Sequence, residues 1–95
     1  MPRFTTRVQL YGNAEWSDYA RLSAAMKDKG FTQMVKDGGG IQYHLPQGEY
    51  DRETNLTRDQ VLKDAKQAAA PVWDHFCILV TESTGRAWHN PQATK

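Results

Sequence analysis

Apolar and polar residues alternate from Arg3 to Leu10. Phe4, Thr6, Val8 and Leu10 fall on one side, and Arg3, Thr5, Arg7 and Gln9 on the other. That period of two predicts a strand with one buried face and two arginines on its wet face. The period then lengthens. Tyr19, Leu22 and Met26 recur at helical spacing, with Trp16 a turn earlier and Ala25 widening the stripe, so a helix is expected from about Ala14 to Lys29. Asn13 is placed to cap its start and Gly30 to stop it. Phe31–Lys36 and Ile41–Leu45 read as two strands joined through the flexible Asp37-Gly-Gly-Gly40 turn, an antiparallel hairpin. Pro46 ends the second strand, and Gln47–Asn55 reads as a polar loop.

The second helix is announced by Thr57-Arg-Asp-Gln60, a capping box in which each end residue's side chain accepts the other's backbone N–H. Leu56 and Val61 bracket the cap as a hydrophobic staple. Val61, Leu62, Ala65 and Ala69 form a narrow stripe, and Pro71 requires the helix to stop by Ala70. In His75–Thr81 residues of both parities are apolar: Phe76, Ile78 and Val80 on one face, Cys77 and Leu79 on the other. Such a run predicts a strand covered on both sides. A short return strand is expected at Arg86-Ala87-Trp88.

The predicted order, strand–helix–strand–strand–helix–strand, gives an α+β, ferredoxin-like βαββαβ sandwich. One antiparallel sheet carries both helices on one face, with a short fifth strand at its end. Phe4, Val8, Ile41, Tyr43, Phe76, Ile78 and Val80 are expected to face the helices. Arg3, Thr5, Arg7, Gln42, His44, Cys77, Leu79 and Thr81 are expected to make the open face.

Length changes this picture little: 95 residues suit one domain, placed at 1–90, with 91–95 as a flexible tail. A net charge of +1 excludes a chain coated in basic residues, so any nucleic-acid contact must come from a local patch. One cysteine cannot form an internal disulfide. No leader pattern begins the chain and no apolar run reaches membrane-spanning length, so a reduced, cytoplasmic protein without a membrane partner is expected. No zinc spacing, paired-carboxylate motif or phosphate-binding loop occurs, so neither metal nor cofactor is expected.

The candidate chemistry lies on the expected open face. Arg3 and Arg7 are four apart on one strand, about 13 Å, a separation that lets them touch different phosphates. Gln42 and Arg86 are further candidate RNA contacts. Of His44, His75 and His89, His44 is the candidate acid–base residue, because it is expected to share a face with Arg7. Leu79 and Trp88 are the candidate contacts of a homodimer, since an edge strand apolar on both faces invites pairing. The residues alone fit either an RNA-binding domain or a non-enzymatic interaction domain that dimerises.

Several stretches read together resemble the GhoS-like family of small bacterial proteins. They are Arg3-Phe-Thr-Thr-Arg-Val8, Tyr43-His-Leu-Pro46, Asn55-Leu-Thr-Arg58 with Gln60-Val-Leu62, and Leu79-Val-Thr-Glu-Ser83 with Gly85-Arg86. The resemblance implies a ferredoxin-like fold. It also implies an antitoxin of a type V toxin–antitoxin system, acting on RNA as an endoribonuclease directed at a toxin messenger RNA.

Overall fold

The computed structural model describes residues 1–36, 38–87, 89 and 91–93. The element order is β1 (Arg3–Leu10), α1 (Trp16–Asp28), β2 (Met34–Lys36), β3 (Gln42–His44), β4 (Glu49–Glu53), α2 (Arg58–Ala69), β5 (Phe76–Ser83) and β6 (Gln92–Ala93). The fold is α+β, with two helices and two antiparallel three-stranded sheets, ordered β4-β1-β5 and β2-β3-β6.

β1 is the middle strand of the larger sheet, and its alternation is realised: Phe4, Thr6, Val8 and Leu10 are all buried. They join Leu22 and Met26 of α1 and Val61, Ala65, Ala68 and Ala69 of α2 in one core, closed by Phe31 and Tyr50. Both helices therefore cover the same face of β1. The alanines of α2 let that helix sit close to the sheet, and its capping box forms as expected. Thr57 N–H donates to Gln60 Oε1 at 2.9 Å and Gln60 N–H donates to Thr57 Oγ1 at 3.2 Å.

At α1 the N-cap is Glu15 in place of the expected Asn13. Asp18 Oδ2 accepts the Glu15 N–H at 2.8 Å, and Asp18 Oδ1 pairs with Arg21 Nη2 at 2.8 Å. Trp16, expected in the buried stripe, is the first residue of the helix and is 79% exposed.

The largest departure is Gln47–Asn55. The expected polar loop contains β4, which pairs with β1 from Arg3↔Glu53 to Arg7↔Glu49. Its alternation is carried by charge: Glu49, Asp51 and Glu53 lie on the side of Arg3 and Arg7, while Tyr50 is fully buried on the helix side. Gly48 permits the entry. Its φ of +83° suits glycine, and its carbonyl accepts the Val8 N–H at 2.7 Å. With β4 beside β1, the hairpin of β2 and β3 forms but lies in the second sheet. Ile41, expected in the core, is 52% exposed, and Tyr43 is half-buried. Thr32 and Asp51 exchange backbone hydrogen bonds of 2.8 and 2.7 Å, tying the segment before β2 to the outer side of β4.

After β5 no described residue returns along that strand. Arg86 and Ala87 are in no strand, and Trp88 lies outside the described residues. Gln92 and Ala93, placed in a loose tail by the sequence, pair with His44 and Tyr43 of β3.

Candidate functional site

The helix-free face of the β4-β1-β5 sheet carries a row of paired charges. The cross-strand register sets Arg3 between Glu53 and Ser83, Thr5 between Asp51 and Thr81, and Arg7 between Glu49 and Leu79. Antiparallel neighbours on one face lie about 5 Å apart, which is within ion-pair reach for these side chains. Arg7 Nη1 stands 3.5 Å from Glu49 Oε1, and Arg3 Nη2 stands 3.6 Å from Glu53 Oε1.

Asp51 is the centre of the arrangement. Its side chain is only 8% exposed, and it holds Arg3 Nε at 3.5 Å and Arg86 Nη2 at 2.6 Å. The same Arg86 nitrogen donates to Thr5 Oγ1 at 3.2 Å. Arg86 thereby fastens the segment after β5 across the sheet to β4. A buried carboxylate held by two guanidiniums, one of them largely buried, is satisfied in charge and in hydrogen bonding.

Two clefts open here. One, of about 450 Å³, is lined by Thr5, Leu45, Pro46, Thr81, Ser83 and Arg86, among others. The second, of about 580 Å³, is bordered by Arg3, Lys36, Glu53 and Arg86.

The structure brings Arg3, Arg7 and Arg86 onto one face. It does not bring His44 or Gln42 there, because β3 belongs to the second sheet. His44 is exposed and lines a different cleft of about 500 Å³, with Trp16, Tyr19, Ser23 and Gln33. Leu45 borders both this cleft and the one beside Arg86. Below the His44 cleft, Ser23 Oγ donates to Gln33 Oε1 at 2.9 Å and lies 2.9 Å from Tyr50 Oη. Burial pushes the Tyr50 phenol above its ordinary value, opposed by the Ser23 hydrogen bond. It is a structural donor, not an acid–base group near neutral pH.

The residues that sequence reasoning missed are Glu49, Asp51 and Glu53. The signal was available: acids at every second position, the outer two four apart as Arg3 and Arg7 are. On β5, Leu79 is 62% exposed and Cys77 is exposed, so the apolar spot expected to be covered is open. A hydrogen bond with the Cys77 thiol, foremost, raises the Tyr11 phenol above its ordinary value.

Among the described residues no group of three or more His, Cys, Asp or Glu is placed to hold a metal ion. No described helix is long and apolar enough to cross a membrane. No protein-family model matches the chain, and no curated protein matches it.

Proposed function

We propose that this chain is a cytoplasmic, GhoS-like antitoxin that acts on RNA, with the helix-free face of the β4-β1-β5 sheet as its RNA-contacting surface. One observation carries the reading. Stretches that resemble the GhoS-like family are far apart in the chain, yet they supply most of the lining of a single cleft. Thr5 comes from the first stretch, Leu45 and Pro46 from the second, Thr81 and Ser83 from the last strand, and Arg86 from its continuation.

The fold supports the same reading. With Thr32 bridged to β4, the backbone runs from that segment through β4 and β1 to β5, beneath two helices on one face. We take this as the ferredoxin-like frame, with β3 and β6 as an addition beside it.

In this proposal Arg7, whose side chain is 57% exposed, and Arg3, at 44%, contact phosphates. Arg86 is the positioning residue that holds the cleft wall. RNA passing over Leu45 reaches His44, whose imidazole is the proton-transfer group of this proposal. Cleavage by this route needs no metal ion.

The test is incubation of the pure protein with labelled structured and unstructured RNA, with magnesium or with a chelator. Binding that is weakened by Arg3→Ala plus Arg7→Ala, with a shallower salt dependence, is the expected result. Cleavage that survives chelation and is slowed by His44→Ala without unfolding is expected of the enzyme. Unchanged salt dependence in the double variant removes this face as the site.

A second reading is a non-enzymatic interaction domain that dimerises. It is favoured by the carboxylate beside each of Arg3, Arg7 and Arg86, which leaves the face without excess positive charge. No RNA binding at low salt selects it.

A further inference from the structure

β5 is an edge strand, and its free side can be read residue by residue. Tyr11 N–H donates to the His75 carbonyl at 2.9 Å, in register with the β1–β5 ladder. Backbone groups of successive strand residues point to opposite sides. His75, Cys77, Leu79, Thr81 and Ser83 therefore turn their N–H and C=O toward β1. Phe76, Ile78, Val80 and Glu82 turn theirs outward. The Val8 N–H, which points the other way to Gly48, agrees with this assignment. No hydrogen bond from the described residues reaches the outward groups.

Protected edges carry lysine, proline, a bulge or a covering segment. Between Phe76 and Thr81 there is no charge, proline or glycine. Among the described residues of the following segment none covers the strand, since Arg86 leads to Asp51 and β6 pairs with β3.

We propose that β5 pairs antiparallel with β5 of a second copy about a two-fold axis at Leu79. Two arguments favour that register over the neighbouring one centred on Ile78. Opposed residues of an antiparallel pair share a face, so only an even register sum keeps the helices of both copies on one side of the joined sheet. Centring on Ile78 would set Asp74 opposite Glu82 of the second copy, whereas centring on Leu79 avoids this like-charge pair. In the chosen register Ile78 exchanges hydrogen bonds with Val80 of the other copy, and Phe76 with Glu82. That makes about eight new backbone hydrogen bonds in all.

The surroundings fit a second copy specifically. A groove of about 460 Å³ runs beside Ile78, Leu79 and Val80, and its far wall is the N-terminal part of α2 with Arg58, Asp59 and Leu62. A wall with one cation and one anion beside a two-fold axis is complementary to its own image, Arg58 facing Asp59 of the other copy. Leu62 adds apolar surface to that seam. The inference does not depend on which reading of function holds.

The register predicts one covalent signature. Leu79 does not use the free edge for hydrogen bonding, so it meets its own copy in the closely spaced type of pair, with Cα atoms about 4.5 Å apart. A Cys77→Ser, Leu79→Cys variant is expected to form a disulfide dimer on mild oxidation, with an unchanged circular dichroism spectrum. Cys77→Ser, Thr81→Cys should not crosslink, because two copies of position 81 stand about 13 Å apart along the strands.

Sedimentation velocity of the full chain at micromolar concentration is expected to show twice the chain mass. Leu79→Lys is tolerated by the fold at so exposed a site and should weaken association at least tenfold. Arg58→Asp should weaken it as well, and Arg58→Asp with Asp59→Arg should restore it. A monomer throughout the micromolar range overturns the proposal. So does a dimer that crosslinks through position 81 and not through position 79.

Discussion

Asp51→Asn is expected to lower stability and raise RNA affinity together. The substitution keeps the size of the side chain and a carbonyl oxygen for Arg86, but removes the charge that two guanidiniums share. Breaking a buried ion pair costs about 3–5 kcal/mol, and an exposed pair contributes about 0–1 kcal/mol. The Asp51 side chain is 8% exposed, that of Arg86 20% and that of Arg3 44%, so the pair with Arg86 lies near the buried case and the pair with Arg3 near the exposed one. The retained Asn oxygen offsets part of the loss, which leaves an expected cost of about 2 kcal/mol. In a domain of this size that lowers Tm by about 8–16 °C.

The effect on binding runs the other way. A guanidinium released from its carboxylate is available to a phosphate, and each added phosphate contact on a single-stranded RNA steepens the slope of log affinity against log salt by about 0.7. Urea denaturation, with Arg86→Gln and the double variant completing a cycle, measures the first effect. RNA binding across a salt series measures the second. Stability unchanged within about 0.5 kcal/mol would refute the buried ion pair itself. Lower stability with an unaltered salt slope would leave the ion pair standing and refute the RNA face.

Glycine 48 supplies a sharper test of the β1–β4 junction. A Cβ there would stand 2.5 Å from the Val8 carbonyl oxygen at a φ of +83°, whereas one at Gly12, with φ +94°, meets nothing within 4 Å. Gly12→Ala should cost about 1–2 kcal/mol from backbone conformation alone, and Gly48→Ala clearly more in the same urea titration. Thr57→Ala should cost about 0.5–2 kcal/mol, and an unchanged denaturation midpoint would contradict the capping box of α2. At α1, the Glu15 N–H and then Arg21 hold the Asp18 carboxyl below its ordinary value of 3.8. A depressed carboxyl stabilises the folded state above its unfolded pKa and loses that contribution as pH falls through the lower folded value. Amides at the start of α1 should therefore lose hydrogen-exchange protection below about pH 4, ahead of those in α2. Equal loss in both helices would contradict the Asp18 cap.

What could be read from the sequence follows from which forces leave a local pattern. β1, α2 and β5 were legible because apolar period, cap chemistry and a continuous apolar run are local signals. The hairpin of β2 and β3 was legible for the same reason, through its glycine turn. β4 was not, because Glu49-Tyr-Asp-Arg-Glu53 has a single large apolar residue and resembles a loop by composition. It is a strand because its partners are elsewhere: Tyr50 fills the core under α1, and its acids complete the arginines of β1. Placing Ile41 and Tyr43 beside β1 was the cost of missing it, and His44 was carried onto the wrong face with them. Arg3 and Arg7 kept their predicted face because β1 needs no partner to define its two sides.

Two-fold pairing at β5 joins the arginine faces of the two copies. In the register of the larger sheet, Glu49, Arg7 and Leu79 stand in one row across the strands. A two-fold axis at Leu79 continues that row into Leu79, Arg7 and Glu49 of the second copy. Three strand spacings of about 4.8 Å then separate the two Arg7 backbones, about 14 Å across an apolar strip. Two rows of arginine on one continuous face would neutralise twice as many phosphates of one RNA as a single row. The salt slope of RNA binding should therefore double on dimerisation, which is a statement about contacts and not only about affinity. The Cys77→Ser, Leu79→Cys variant separates the states without adding a charge, because oxidation locks the pair and reduction at low protein concentration frees it. A locked dimer whose RNA salt slope equals that of the reduced monomer would show that the rows act singly, and the RNA-contacting surface would then have to be confined to one chain.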